Sequence, residues 1–132
     1  MFTPEQEAFL EARTWAVLAT GRRDGSPQIS MVAFDWDGNH LLVSVKSDTA
    51  KWHNAQRQPR VALLVHEDRK QLVIYGRAEA IDQDPERAEL SLPVFRKVMG
   101  KAVPPGDAFT RHLDEQKRTI LRIIPEKAYM ND

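Results

Sequence analysis

Residues 41–65, LLVSVKSDTAKWHNAQRQPRVALLV, leave this chain little choice of local structure. Leu41 to Val45 and Arg60 to Val65 are apolar, partly β-branched runs of strand length. The polar stretch between them carries a helix start and a helix stop. Ser47 or Asp48 can cap a helix beginning near Thr49, and Pro59 ends it. Thr49 and Lys51 then fall in the first helical turn. A helix N-terminus presents unpaired backbone N–H groups and a partial positive charge, and a hydroxyl and an ammonium group beside it complete an anion site. On these residues alone the simpler reading is a capped surface helix with a solvated lysine.

The flanking sequence extends the pattern. Thr3, Pro4 and Gln6 form a helix start with capping-box spacing, and the helix should run to about Arg13, burying Phe9 and Leu10. WAVLATG (15–21) reads as a strand, RRDGSP (22–27) as a hairpin turn and QISMVAFDW (28–36) as the second strand. Alternation sets Gln28, Ser30, Val32 and Phe34 on one side of that strand and Ile29, Met31 and Ala33 on the other. Asp37-Gly38-Asn39 turns the chain into a third strand, 40–46. A fourth strand, 60–66, and a long fifth, 71–81, follow, with Gly76 placed for a bulge.

Asp84-Pro85 opens a helical region to about Met99, with Ala88, Leu92, Phe95 and Met99 at helical spacing and Pro93 set to kink or restart it. A short helix over about 108–116 leads to a last strand, RTILRII, which Pro125 should stop. Six twisted strands joined largely by hairpins predict a β-rich α+β fold. The expected form is a small six-stranded antiparallel barrel, closed or split, with flanking helices, in a single domain over residues 1–132.

Composition narrows the function classes. The 19 basic and 19 acidic residues cancel, so overall charge gives no support for nucleic-acid binding. There is no cysteine, which excludes disulfides, zinc–thiolate sites and a cysteine nucleophile. No apolar run approaches the roughly 20 residues of a membrane helix. The N-terminus has acidic residues early and no apolar signal core, so a cytoplasmic protein without membrane contact is expected. The four histidines, at 40, 53, 66 and 112, lack metal-motif spacing, and no metal is expected. No Ser-His-Asp or paired-carboxylate motif stands out.

The ordered segments WAVLATGRRDGSPQISMVAFDWDGN, LLVSVKSDTAKWHNAQRQPRVALLV, YGRAEAI and RTILRIIPEKAY resemble the pyridoxamine 5′-phosphate oxidase-like split-barrel family. That family binds FMN or the deazaflavin coenzyme F420. Carried over by position, the resemblance implies that Gln28, Ile29, Ser30 and Met31 lie along the tricyclic ring. Ser44, Val45 and Lys46 would border the ring and its ribityl chain, and Thr49, Ala50 and Lys51 would sit at the phosphate. It further implies a homodimer with cofactors at the subunit interface, where Tyr75, Gly76 and Arg77 of a second copy could complete the site.

Two departures refine this. Pyridoxamine phosphate oxidases carry an arginine just before the phosphate lysine, where this chain has Ala50, and they end in an arginine-containing substrate segment, where it ends PEKAYMND. Vitamin B6 oxidation is therefore not expected. The pattern ATGRRDGSPQIS is similar to that of short family members using coenzyme F420, with FMN as the alternative cofactor. The implied function is an oxidoreductase moving hydride between that cofactor and a small conjugated substrate. The alternatives are an FMN-dependent enzyme of the same fold and a non-catalytic flavin carrier.

Overall fold

The computed structural model describes residues 1–131. Its elements, in chain order, are α1 (Pro4–Glu11), β1 (Trp15–Gly21), β2 (Pro27–Trp36), β3 (Leu41–Lys46), α2 (Ala50–Arg57), β4 (Arg60–Glu67), β5 (Lys70–Ile81), α3 (Glu86–Met99), α4 (Asp107–Glu115) and β6 (Arg118–Asn131). The six strands close an antiparallel barrel in the order β1-β2-β3-β6-β5-β4. Among the described residues no helix is long and apolar enough to cross a membrane.

Local chemistry accounts for the turns. Asp24 Oδ1 accepts from both the backbone N–H and the hydroxyl of Ser26, and Gly25 takes a φ of 86° in the β1–β2 hairpin. Asp37 Oδ1 does the same work between β2 and β3, accepting from the N–H groups of Asn39 and His40. Thr3 and Gln6 form the expected capping box, although α1 ends at Glu11 rather than Arg13, with Ala12 as its C-cap.

The barrel interior is filled by the inward half of each strand, including Leu18, Phe34, Val43, Val45, Leu63, Ile74, Leu121 and Ile123. Phe9 and Leu10 of α1 and Trp52 and Ala55 of α2 join that core. The crossover α2 is anchored by Asn54, whose amide donates to Thr20 Oγ1 at 3.2 Å and whose oxygen accepts from Arg57 at 2.9 Å.

Helices α3 and α4 lie outside the barrel. Val94 of α3 packs on Leu42 of β3 and Ile120 of β6. The buried stripe of α3 is Arg87, Ser91 and Val94, so it is turned by about one position from the Ala88–Leu92–Phe95–Met99 face that spacing suggested. The outward apolar residues of β3 and β6 select the stripe that meets them. Pro93 neither ends nor restarts α3, which is one continuous element. Arg87 ties the two helices to the barrel: it binds Asp84 at 2.8 Å, Asp114 at 2.7 Å and the carbonyl of Arg118 at 3.2 Å. The paired carboxylates hold the Arg87 guanidinium firmly charged, and Arg87 in turn lowers the pKa of Asp84.

Pro125 does not stop β6, which runs on to Asn131. It lies opposite Gly76, next to a register shift between Tyr75 and Gly76. A proline has no N–H for the ladder, and a bulge is a place where a sheet tolerates that loss.

Candidate functional site

Strand parity decides which predicted residues can meet a ligand together. On β3, Ser44 and Lys46 point outward, whereas Val45 is fully buried in the barrel core. The Val45 carbonyl also accepts the Thr119 hydroxyl at 3.0 Å. On β2, Ile29 and Met31 are well exposed on the outer face. Gln28 and Ser30 lie on the other face, where Gln28 Oε1 accepts from Thr20 Oγ1 at 3.1 Å.

Met31, Ser44, Lys46, Thr49 and Lys51 come together in one cleft of about 450 Å³ between the outer wall of the barrel and helices α3 and α4. Gln28, Ile29, Ser30, Val45 and Ala50 are not among its lining residues. Ala50 opens α2 and is exposed.

The helix start differs from expectation in its cap. Neither Ser47 nor Asp48 caps α2. Thr49 is the N-cap, in extended conformation, and its hydroxyl donates back to the Lys46 carbonyl at 2.7 Å instead of capping. Asp48 is engaged by Lys117 at 3.6 Å. The first amides of α2 therefore carry no side-chain cap, and Lys51 follows directly after the first helical residue.

One end of the cleft is cationic. Lys46, Lys51 and Arg118 line it, with no carboxylate among the lining residues. Burial lowers the Lys51 pKa, and the nearby charge of Arg118 lowers it further. Burial also lowers the Arg118 pKa. Two buried polar atoms in this region have no partner among the described residues: Ser44 Oγ and Arg118 Nε. The other part of the cleft is apolar, with Met31 and Ala33 of β2 facing Phe95, Val98 and Met99 of α3. His112 of α4 and Gln116, the C-cap of that helix, add polar groups, and the His112 ring sits edge-on to Phe95 at 5.8 Å.

Sequence reasoning missed Arg118, His112, Gln116 and the α3 wall. Arg118 reaches the cleft only because β6 pairs with β3, a contact between segments about seventy residues apart. The α3 wall did leave a signal, since FRKVM holds more apolar residues than one buried stripe uses. Tyr75 and Gly76 line a separate, more open hollow of about 830 Å³ with Thr20, Arg60 and Tyr129. That hollow is larger, but it shares no lining residue with the cleft and does not include Lys51. Among the described residues no group of three or more His, Asp or Glu could hold a metal ion.

The family model for pyridoxamine 5′-phosphate oxidase matches residues 2–132. Solved structures with the same barrel include one described as an F420 reductase, 28% identical over 93% of this chain and 94% of that one, with a TM-score of 0.72. A conserved hypothetical protein from Mycobacterium tuberculosis is 23% identical over all of this chain and 85% of that one, with a TM-score of 0.81. HutZ, a heme storage protein from Vibrio cholerae, is 20% identical over 96% of this chain and 92% of that one, with a TM-score of 0.76. The last two likenesses are of fold alone. Nearly the whole chain answers to one family model, and its strand order closes the six-stranded barrel that the family resemblance implied: this chain belongs to the pyridoxamine 5′-phosphate oxidase family.

Proposed function

We propose that this protein is a cofactor-dependent oxidoreductase that moves hydride between coenzyme F420 and a small conjugated organic substrate, working as a homodimer. The observation that carries the reading is the division of one cleft into a cationic end at the start of α2 and an apolar slot between β2 and α3. The residues present suit a phosphorylated flat cofactor. Among the described residues the buried Ser44 hydroxyl lacks a partner, and Lys51 lies in the first turn of a helix whose leading amides have no side-chain cap. When bound, such a cofactor supplies the hydride chemistry itself. The chain's part is then to hold the phosphate through Lys51 and Thr49. Met31 and Ala33 would set the plane of the ring, and the α3 wall would keep water from the slot. The likeness to the F420 reductase supports the deazaflavin as cofactor.

FMN is the second reading, and a specific observation favours it. Ala50 lacks the expected phosphate-directed cation, but Arg118 brings another to the same cleft from β6.

The homodimer rests on the outer wall. Met31 pairs with Val17, Val17 with Leu64, Leu64 with Val73 and Val73 with Tyr129, so one outward row crosses five strands with apolar or aromatic residues. Ile29, Ala19, Ala62 and Tyr75 form the row beside it. A face of this extent calls for a partner, and a second copy is the self-complementary choice. Trp15 and Met31 belong to both wall and cleft, so the second copy would border the cofactor site.

The test is to record the spectrum and mass of any ligand that co-purifies, then titrate the stripped protein with F420 and FMN and assay hydride transfer from whichever binds. Binding of F420 with turnover is the expected result. A protein that binds neither cofactor would end the oxidoreductase reading.

A further inference from the structure

We infer that Arg118, Lys51 and Ser44 form a phosphate clamp, in which Arg118 of β6 supplies the second cation that position 50 lacks. The inference rests on the reading of the cleft as the cofactor site, and it adds a residue from a distant strand to it.

Three observations converge. The first is charge without counter-charge. Lys46, Lys51 and Arg118 share a cleft whose lining residues include no carboxylate, and the nearest acidic neighbour in sequence, Asp48, pairs with Lys117. Gathering cations in a partly desolvated site costs stability unless an anion enters it. The second is orphaned hydrogen-bonding capacity. Ser44 is 5% exposed and, among the described residues, its Oγ has no partner, while Arg118 Nε is also buried and unpaired there. Buried donors in native proteins are normally satisfied, so two unpaired ones on one cleft point to a ligand oxygen. The third is rigidity. The backbone carbonyl of Arg118 accepts from the buried Arg87, which is itself fixed by Asp84 and Asp114. The guanidinium is thus carried on an anchored strand end, ready for forked contact with a phosphate.

A phosphate group is the chemistry that fits: tetrahedral, anionic and rich in acceptors. FMN would offer it as a monoester and F420 as a diester. The test compares each cofactor with its phosphate-free ribityl counterpart, riboflavin for FMN and the ribityl deazaflavin for F420. The proteins are wild type, Arg118→Met and Arg118→Lys. For the cofactor that binds, Arg118→Met should cut the preference for the phosphorylated form by about ten- to a hundredfold, while leaving the phosphate-free form within about twofold. Arg118→Lys should recover part of the loss, since it keeps the charge without the fork. An Arg118→Met protein with the wild-type preference overturns the inference.

Thermal shift with inorganic phosphate, at constant ionic strength, separates the two levels of argument. If neither cofactor binds but phosphate stabilises wild type and not Arg118→Met, the clamp stands and the oxidoreductase reading falls. If phosphate and both cofactors leave wild type unmoved, the clamp is wrong. Should Arg118→Met fail to fold, the Arg118→Lys and Ser44→Ala proteins carry the same comparison, and unchanged preference in both overturns the inference.

Discussion

Lys46 and Arg118 stand directly opposite one another at the end of the β3–β6 ladder, and both face the cleft. Like charges at opposed cross-strand positions destabilise a sheet by a few tenths to about 1 kcal/mol. Among the described residues no carboxylate forms an ion pair with either. On the proposed reading, the pair is a small built-in cost of the cofactor site. The cofactor-free Arg118→Met protein should unfold at the same or slightly higher urea concentration than wild type. Added salt should stabilise wild type more than the variant, because screening relieves the repulsion. A loss of more than about 1 kcal/mol on this substitution would assign Arg118 a structural role instead.

Lys51 makes a pH prediction. Its folded pKa lies below 10.5, chiefly through burial and then through Arg118. In the cofactor-free protein the charged form is therefore disfavoured by folding. That penalty is present at neutral pH and is relieved as pH rises through the folded pKa toward 10.5. A bound phosphate prefers the charged lysine, so cofactor affinity should fall as pH rises through the same pKa. Lys51→Ala should weaken binding about ten- to a hundredfold at neutral pH, for a contact worth about 1.5–3 kcal/mol. It should also flatten the alkaline fall, and it should spare the folding midpoint. Affinity measured by calorimetry across the alkaline range checks this. An identical pH profile in wild type and variant would place the phosphate away from Lys51.

Most of the barrel was legible because its signals are local. Asp24-Gly25 and Asp37-Gly38 announce hairpins within a few residues, and the alternation of Ile29 to Phe34 gives the two faces of β2 directly. What was not legible is long-range. The pairing of Lys46 with Arg118 depends on how β6 returns to the sheet, which no spacing encodes. Pro125 misled because a proline reads as a strand end until its opposite residue is known to be Gly76. The cleft was half legible: the start of α2 shows in sequence, while the α3 wall depends on which stripe of that helix meets Leu42 and Ile120.

Gly76 yields a stability prediction from the same bulge. A Cβ built on it would lie 2.4 Å from the Ile124 carbonyl oxygen and 3.1 Å from an Ile123 side-chain carbon. The close neighbour is backbone in the longest ladder of the barrel, so it cannot swing aside. Gly76→Ala should therefore force β5 and β6 apart locally and cost at least about 1–3 kcal/mol. Urea denaturation would show the lowered midpoint. An unchanged midpoint would mean that the close approach of β5 to β6 at this position is absent in solution.

The outer wall gives the last prediction. Val17 lies at the centre of β1, in register with Met31 on one side and Leu64 on the other, and its outward side chain is half-buried. Around it Ile29, Met31, Tyr75 and Tyr129 are all at least 48% exposed. A stable interface typically takes about 800 Å² from each partner, and two adjacent apolar rows across the strands are the natural source of it. Val17→Glu would set a carboxylate in the middle of that contact, where it would meet its own copy near a two-fold axis or lose its water. The folded subunit should survive, because the outward position lies outside the barrel core. Light scattering should show wild type as a dimer and the variant as a monomer at micromolar concentration. Cofactor affinity should fall as the dimer is lost, because Met31 and Trp15 link wall and cleft. Ala108→Glu, at an exposed position of α4, serves as the control and should change neither. A wild-type monomer that binds cofactor at full strength would remove the second copy from the site.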